Sequence, residues 1–158
     1  MATSIVNGLS VQGIEDMVGM VKEQPQVAKA VFYATTNWKG GFHNEALVKD
    51  FSMGGQRNDT SRKQAFKIVG DHPKELLGTD MGPSSVEVLL SALGHCLASG
   101  WAMYGAHMGI SIESLRVEVE GDIDLQGLLD LSPAAAVGYE EAGNERRSVG
   151  RIATAVCR

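Results

Sequence analysis

Apolar residues recur at helical spacing at Ile14, Met17, Val18 and Val21, which predicts a short amphipathic helix over residues 10–23. Gln24-Pro25 ends it, because the residue before a proline is pushed out of the helical region. Residues 27–38 then concentrate the β-formers Val31, Phe32, Tyr33, Thr35 and Thr36, a strand. Gly40-Gly41 marks a turn, and a second strand is expected over 45–51. Residues 54–60 read as a polar loop and 65–69 as a third strand. Connections this short allow only antiparallel pairing, so the opening is expected to be a β-meander.

A loop over 72–82, with Pro73, Gly78 and Gly82, leads into the most apolar stretch, SSVEVLLSALGHCLASGWAMYGAHMG. Ser84 followed three residues later by Glu87 predicts a capping box, and Gly109 a stop. The resulting helix is about 36 Å long. It is apolar nearly all round, which predicts burial at the centre of the protein or of a dimer. The small residues Gly94, Ala98 and Gly100 would let another helix approach closely. Residues 110–121 alternate Ile112, Leu115, Val117 and Val119 with Glu118 and Glu120, a strand. Residues 122–130 are acidic and leucine-rich before the break at Ser132-Pro133, and 142–158 carry too weak a periodicity for an element to be placed.

Composition adds boundaries to this picture. A chain of 158 residues suits one domain spanning 1–158. Without an unbroken apolar run of membrane-spanning length, no membrane is expected as a partner. Residues 1–13 lack a basic region followed by an apolar core, so the expected compartment is the cytoplasm. The net charge of −5 argues against nucleic acid. It is unevenly placed, because residues 142–158 hold four arginines and one glutamate. The histidines show no metal-ligand spacing and no glycine-rich phosphate loop follows a strand, so neither metal nor cofactor is expected.

Four features in order point to a family: the strand carrying Trp38 and Gly40-Gly41, the loop DHPKELLGTDMGPSSVEVLL, the helix containing SALGHCLAS, and the strand starting GISIESLRVEVEGDID. Together, over residues 27–139, they resemble the OsmC/Ohr proteins, small thiol-dependent hydroperoxide-resistance proteins. The resemblance implies an α+β fold in which a β-meander packs on a long central helix and two subunits intertwine as a homodimer. It also implies that Cys96 attacks an organic hydroperoxide as a thiolate and becomes a sulfenic acid. A second cysteine then condenses with it, and an external dithiol, commonly a lipoyl group, resets the pair.

Read residue by residue, Cys96 in mid-helix gains nothing from the helix dipole, whose effect is confined to the terminal turn. Chemistry alone favours a small buried hydrophobe there, and the resemblance favours a peroxidatic thiol. The family's arginine after the Gly-Gly turn corresponds to Phe42, with Lys39 and His43 as neighbouring alternatives and Arg57 and Arg62 further along. The carboxylate that orients this arginine corresponds to Val86. Glu87 is one residue off and, nine before Cys96, lies roughly 180° round a regular helix from it. Cys157 is the candidate resolving cysteine, although the segment after Tyr139 is shorter than the family's C-terminal half and unlike it. Leu93, Leu97 and Trp101, with Leu89, Met103 and Tyr104, are the candidate lining of an apolar pocket.

Three functions remain open on these residues. The first is thiol-dependent reduction of organic hydroperoxides, with an external dithiol as reductant. The second is a non-catalytic protein of the same fold that binds a small apolar or acyl ligand. In the third, the helix only builds the dimer. Phe42 and Val86 weigh toward the second, and Cys96 within its motif toward the first.

Overall fold

A computed structural model describes residues 4–139 and the backbone of 155–157. The chain forms two compact units, one of residues 1–4 and 10–85, the other of 5–9 and 86–158.

The first unit opens with α1 (Val11–Glu23), capped by the Ser10 hydroxyl, which accepts from the Gly13 N–H. The predicted apolar stripe is present, but only in part covered: Ile14 and Val21 are half-buried while Met17 and Val18 stay exposed. A 3-10 turn at Pro25–Ala28 follows. The sheet is antiparallel, as short connections require. The two-residue strands β1 (Ile5–Val6) and β2 (Leu9–Ser10) pair only with each other; the four members of the first unit's sheet are β3 (Ala30–Gly40), β4 (His43–Met53), β5 (Gln56–Asn58) and β6 (Phe66–Gly70).

β4 is the centre of this sheet. One edge carries β3 along most of its length, and the other carries β6 at one end and β5 at the other. β5 corrects the reading of 54–60 as loop. Glycines at 54 and 55, both at positive φ, turn the chain back so that Gln56 pairs with Met53 and Asn58 with Phe51. A bulge lies between the pairs Phe32–Phe51 and Ala34–Val48. It keeps Phe32, Phe51, Val48 and Phe66 on one face, which is widely exposed: Phe32 is 68% and Phe66 59% accessible.

The second unit is built on α2 (Ser85–His107). Its limits match the expected helix within a residue, but its burial does not. Within one chain only Gly105 and Ala106 are buried, and Leu89, Trp101 and Tyr104 are exposed. The apolar perimeter is larger than the neighbouring segments of the unit can cover. By length and composition α2 would also suit a membrane crossing, a test that core helices of soluble proteins pass equally.

After α2 the strand β7 (Ile112–Leu115) pairs with β8 (Ala155–Cys157). The expected strand over 110–121 is therefore shortened. Residues 116–120 have no ladder partner among the described residues, yet Val117 and Val119 remain half-buried and Arg116, Glu118 and Glu120 exposed. The period-two pattern records which side chains face inward, and pairing is a separate condition. The single turn α3 (Leu125–Leu128) is capped by Asp124, which accepts from the Gln126 N–H at 2.8 Å.

Candidate functional site

Cys96 is a free, exposed thiol in the middle of α2. At 100° per residue, Leu89, Ala92, Leu93, Ser99, Gly100 and Met103 share its face. Leu89 and Ala92 are exposed and Leu93 and Met103 half-buried, so the thiol sits in an apolar stripe open along its length.

The opposite face is occupied. Asn7 braces the C-terminal half of α2 to the chain that follows. Its Nδ2 donates to the carbonyls of Ala102 at 3.3 Å and Ile110 at 3.0 Å, and its Oδ1 accepts from the Ile112 N–H at 2.8 Å. Gly105 permits this, since a Cβ there would lie 2.9 Å from Asn7 Nδ2. Further along, Gly94 faces Val119. Sequence reasoning missed Asn7. The only local signal is Asn7-Gly8, a turn pair, with Asn7 itself at φ 52°.

On this second face lies an open cleft of about 520 Å³ between α2 and the Val117–Val119 segment. Its walls are Leu90, Gly94, Ala98, Val117 and Val119, with Glu87, Ser91 and His95 along one side. None of the expected pocket residues Leu93, Leu97 and Trp101 lines it, and neither does Cys96. Glu87 lies, as its spacing requires, on the far side of the helix from the thiol. Val86 is half-buried, and its carbonyl accepts a hydrogen bond from the Tyr139 hydroxyl at 2.6 Å. Burial, and then the Glu87 charge, push the Tyr139 phenol above its ordinary range.

The candidate cations Lys39 and His43 belong to the first unit, Cys96 and Glu87 to the second. Lys39 lies 3.4 Å from Glu45, which also binds Lys67. The Lys67 hydrogen bond, helped by Lys39 and opposed by desolvation, holds the Glu45 carboxyl below its ordinary range. His43 is half-buried beside the turn and pairs with Gly40. Phe42, at the position of the expected arginine, stacks on His72 with ring centres 4.3 Å apart. Arg57 is bound to Asp50 at 2.6 Å. Arg62 donates to the Lys49 carbonyl at 2.9 Å and lies over the rings of Phe51 and Phe66. Cys157 falls in β8 opposite Ile112, and its side chain lies outside the described residues, as do residues 140–154 of the atypical tail.

The loop leading to α2 contains a second feature that the sequence did not signal. Asp71 is 2% accessible. Its carboxylate accepts from the Thr79 hydroxyl and from the N–H groups of His72 at 2.8 Å, Thr79 at 3.1 Å and Met81 at 3.3 Å. The Thr79 hydroxyl first, then the backbone donors, outweigh burial and hold this carboxyl at about 2. Gly78 packs against the His72 carbonyl so closely that no Cβ fits.

Residues 78–142, which carry the end of this loop, the thiol, the cleft and Tyr139, match the family model described as OsmC-like protein. Over this stretch the chain is OsmC-like. No curated protein matches it. The mixed helix and antiparallel sheet agree with the α+β class expected of an OsmC-like chain. This similarity is consistent with a peroxidase-like or stress-related role.

Proposed function

We propose that this OsmC-like protein reduces small organic hydroperoxides with Cys96 as the peroxidatic thiol, working as a cytoplasmic homodimer. The observation that carries the proposal is the placement of Cys96: a free, exposed sulfur in an apolar stripe, inside the segment that matches the family. The thiolate would attack the distal peroxide oxygen, forming the S–O bond as the O–O bond breaks. The alkoxide takes up a proton and leaves as alcohol. One thiol of an external dithiol then attacks the sulfenic sulfur and releases water, and its second thiol displaces Cys96, so the dithiol supplies both electrons. Cys157 is the intramolecular alternative to that first thiol.

Two observations support a dimer. The apolar stripe around Cys96 and the aromatic sheet face bearing Phe32 and Phe66 are both open in one chain. Exposed apolar surface of that kind is normally covered in solution. A turnover that regenerates a free thiol also suits a reducing compartment.

A second reading is favoured by a specific observation: Phe42, stacked on His72, stands where a peroxidase arginine is expected, and Arg57 is bound to Asp50. In that reading the fold binds a small apolar or acyl ligand without chemistry. Trapping distinguishes the two. Reduced protein treated with cumene hydroperoxide and a sulfenic-acid reagent should gain the adduct mass on the peptide containing Cys96, and Cys96→Ser should abolish it. No adduct in excess hydroperoxide would leave the ligand-binding reading.

A further inference from the structure

We infer that the cleft on the back of α2 is a binding site for a small aliphatic ammonium ion. Its volume of about 520 Å³ falls within the range of small-molecule sites. Its two sides differ in chemistry. Leu90, Gly94 and Ala98 on the helix, with Val117 and Val119 opposite, form an apolar channel. The glycine and alanine let an alkyl chain lie close against the helix backbone. Glu87, Ser91 and His95, four residues apart, form a polar line along one side of the same channel.

Charge selects the ligand. Among the described residues from 86 to 139 there are seven carboxylates and one arginine, Arg116, which is bound to Glu118. A carboxylate ligand would meet repulsion here, and a neutral alcohol would gain only the apolar contacts. An alkylammonium gains both, with its N–H groups donating to the Glu87 carboxylate and the Ser91 hydroxyl and its chain in the channel. The site lies on the opposite side of the helix from Cys96, so it stands whether or not Cys96 is a peroxidase.

The test is titration of the full-length protein with n-hexylammonium, 1-hexanol and hexanoate, followed by calorimetry or NMR shifts. Hexylammonium should bind saturably and at least about ten-fold more tightly than hexanol, the usual scale of one charge-assisted hydrogen bond. Hexanoate should not bind. Glu87→Gln should reduce hexylammonium to the hexanol level, and Ala98→Leu, which fills the channel, should remove both. Gly94→Ala is the control for folding, because its Cβ would meet Val119 at 3.6 Å, an ordinary contact. Equal binding of hexylammonium and hexanol, absence of saturable hexylammonium binding, or hexylammonium binding unchanged in Ala98→Leu would overturn the assignment. The comparison of the three ligands on the unmodified protein stands even if a variant fails to fold.

Discussion

The two faces of α2 are made from similar residues and are held in opposite ways. The back face is tied down by Asn7, by Ile112 and by the Val117–Val119 segment, with glycines at 94 and 105 bringing these neighbours close. The front face, with Leu89, Leu93, Cys96 and Met103, has no such bracing among the described residues and stays half-buried or exposed. Stability of the second unit should therefore reside on one side of the helix and reactivity on the other. A thiol on the braced side would be inert packing. On the open side it can meet a substrate, and its environment is set by whatever covers that stripe.

Variants can break this comparison. The largest effect is expected from Gly105→Ala, whose Cβ would press on Asn7 Nδ2 and the Ile110 carbonyl. A loss of about 2–3 kcal/mol in chemical denaturation is expected, from overpacking together with a disturbed hydrogen-bond bracket. Asn7→Ala removes the bracket alone and should cost about 1–2 kcal/mol. In both variants Cys96 should keep its alkylation rate under native conditions, since the thiol faces away.

The first unit offers a contrast at Asp71, a buried carboxylate that holds a loop rather than a helix. Its folded value of about 2 lies below the ordinary 3.8, so the ionised form is favoured by folding. The stability it contributes is complete above the ordinary aspartate range and is lost as pH falls from about 4 toward 2. Asp71→Asn should lower the melting temperature at pH 7 and flatten the acid limb of the stability profile between those values. An unchanged acid limb would contradict the assignment. The smallest effect is expected from Cys96→Ser, which should stay within about 0.5 kcal/mol of the parent because the residue is exposed. A large loss there would mean that the thiol is packing and that the two faces are not different in kind.

Local patterns were readable in the sequence where one element's own residues decide the outcome. Ser10, the spacing from Ile14 to Val21 and Gln24-Pro25 bounded α1, and the run from Ser84 to Gly109 bounded α2. The position of Glu87 opposite Cys96 followed from helix geometry alone. What failed depended on partners distant in the chain. Val117 and Val119 alternate like a strand, but among the described residues no partner extends the ladder past Leu115. Asn7 acts on residues about a hundred positions away, and nothing near it announces them. Asp71 reads as an ordinary loop carboxylate until Thr79 and Met81 fold back over it. The cleft of one chain lies away from Leu93, Leu97 and Trp101 for a related reason: those residues are apolar, but the cleft forms where Val117 and Val119 supply a second wall.

The central claim is that the sulfur on the open face of α2 performs peroxide chemistry. Steady-state consumption of cumene hydroperoxide with dihydrolipoamide as reductant tests it most directly, on the parent protein and on Cys96→Ser. The account predicts catalytic turnover by the parent, retained in Cys157→Ala when the external dithiol is in excess, and none in Cys96→Ser. Turnover that survives in Cys96→Ser, or a parent that consumes no hydroperoxide above the uncatalysed rate, would contradict it.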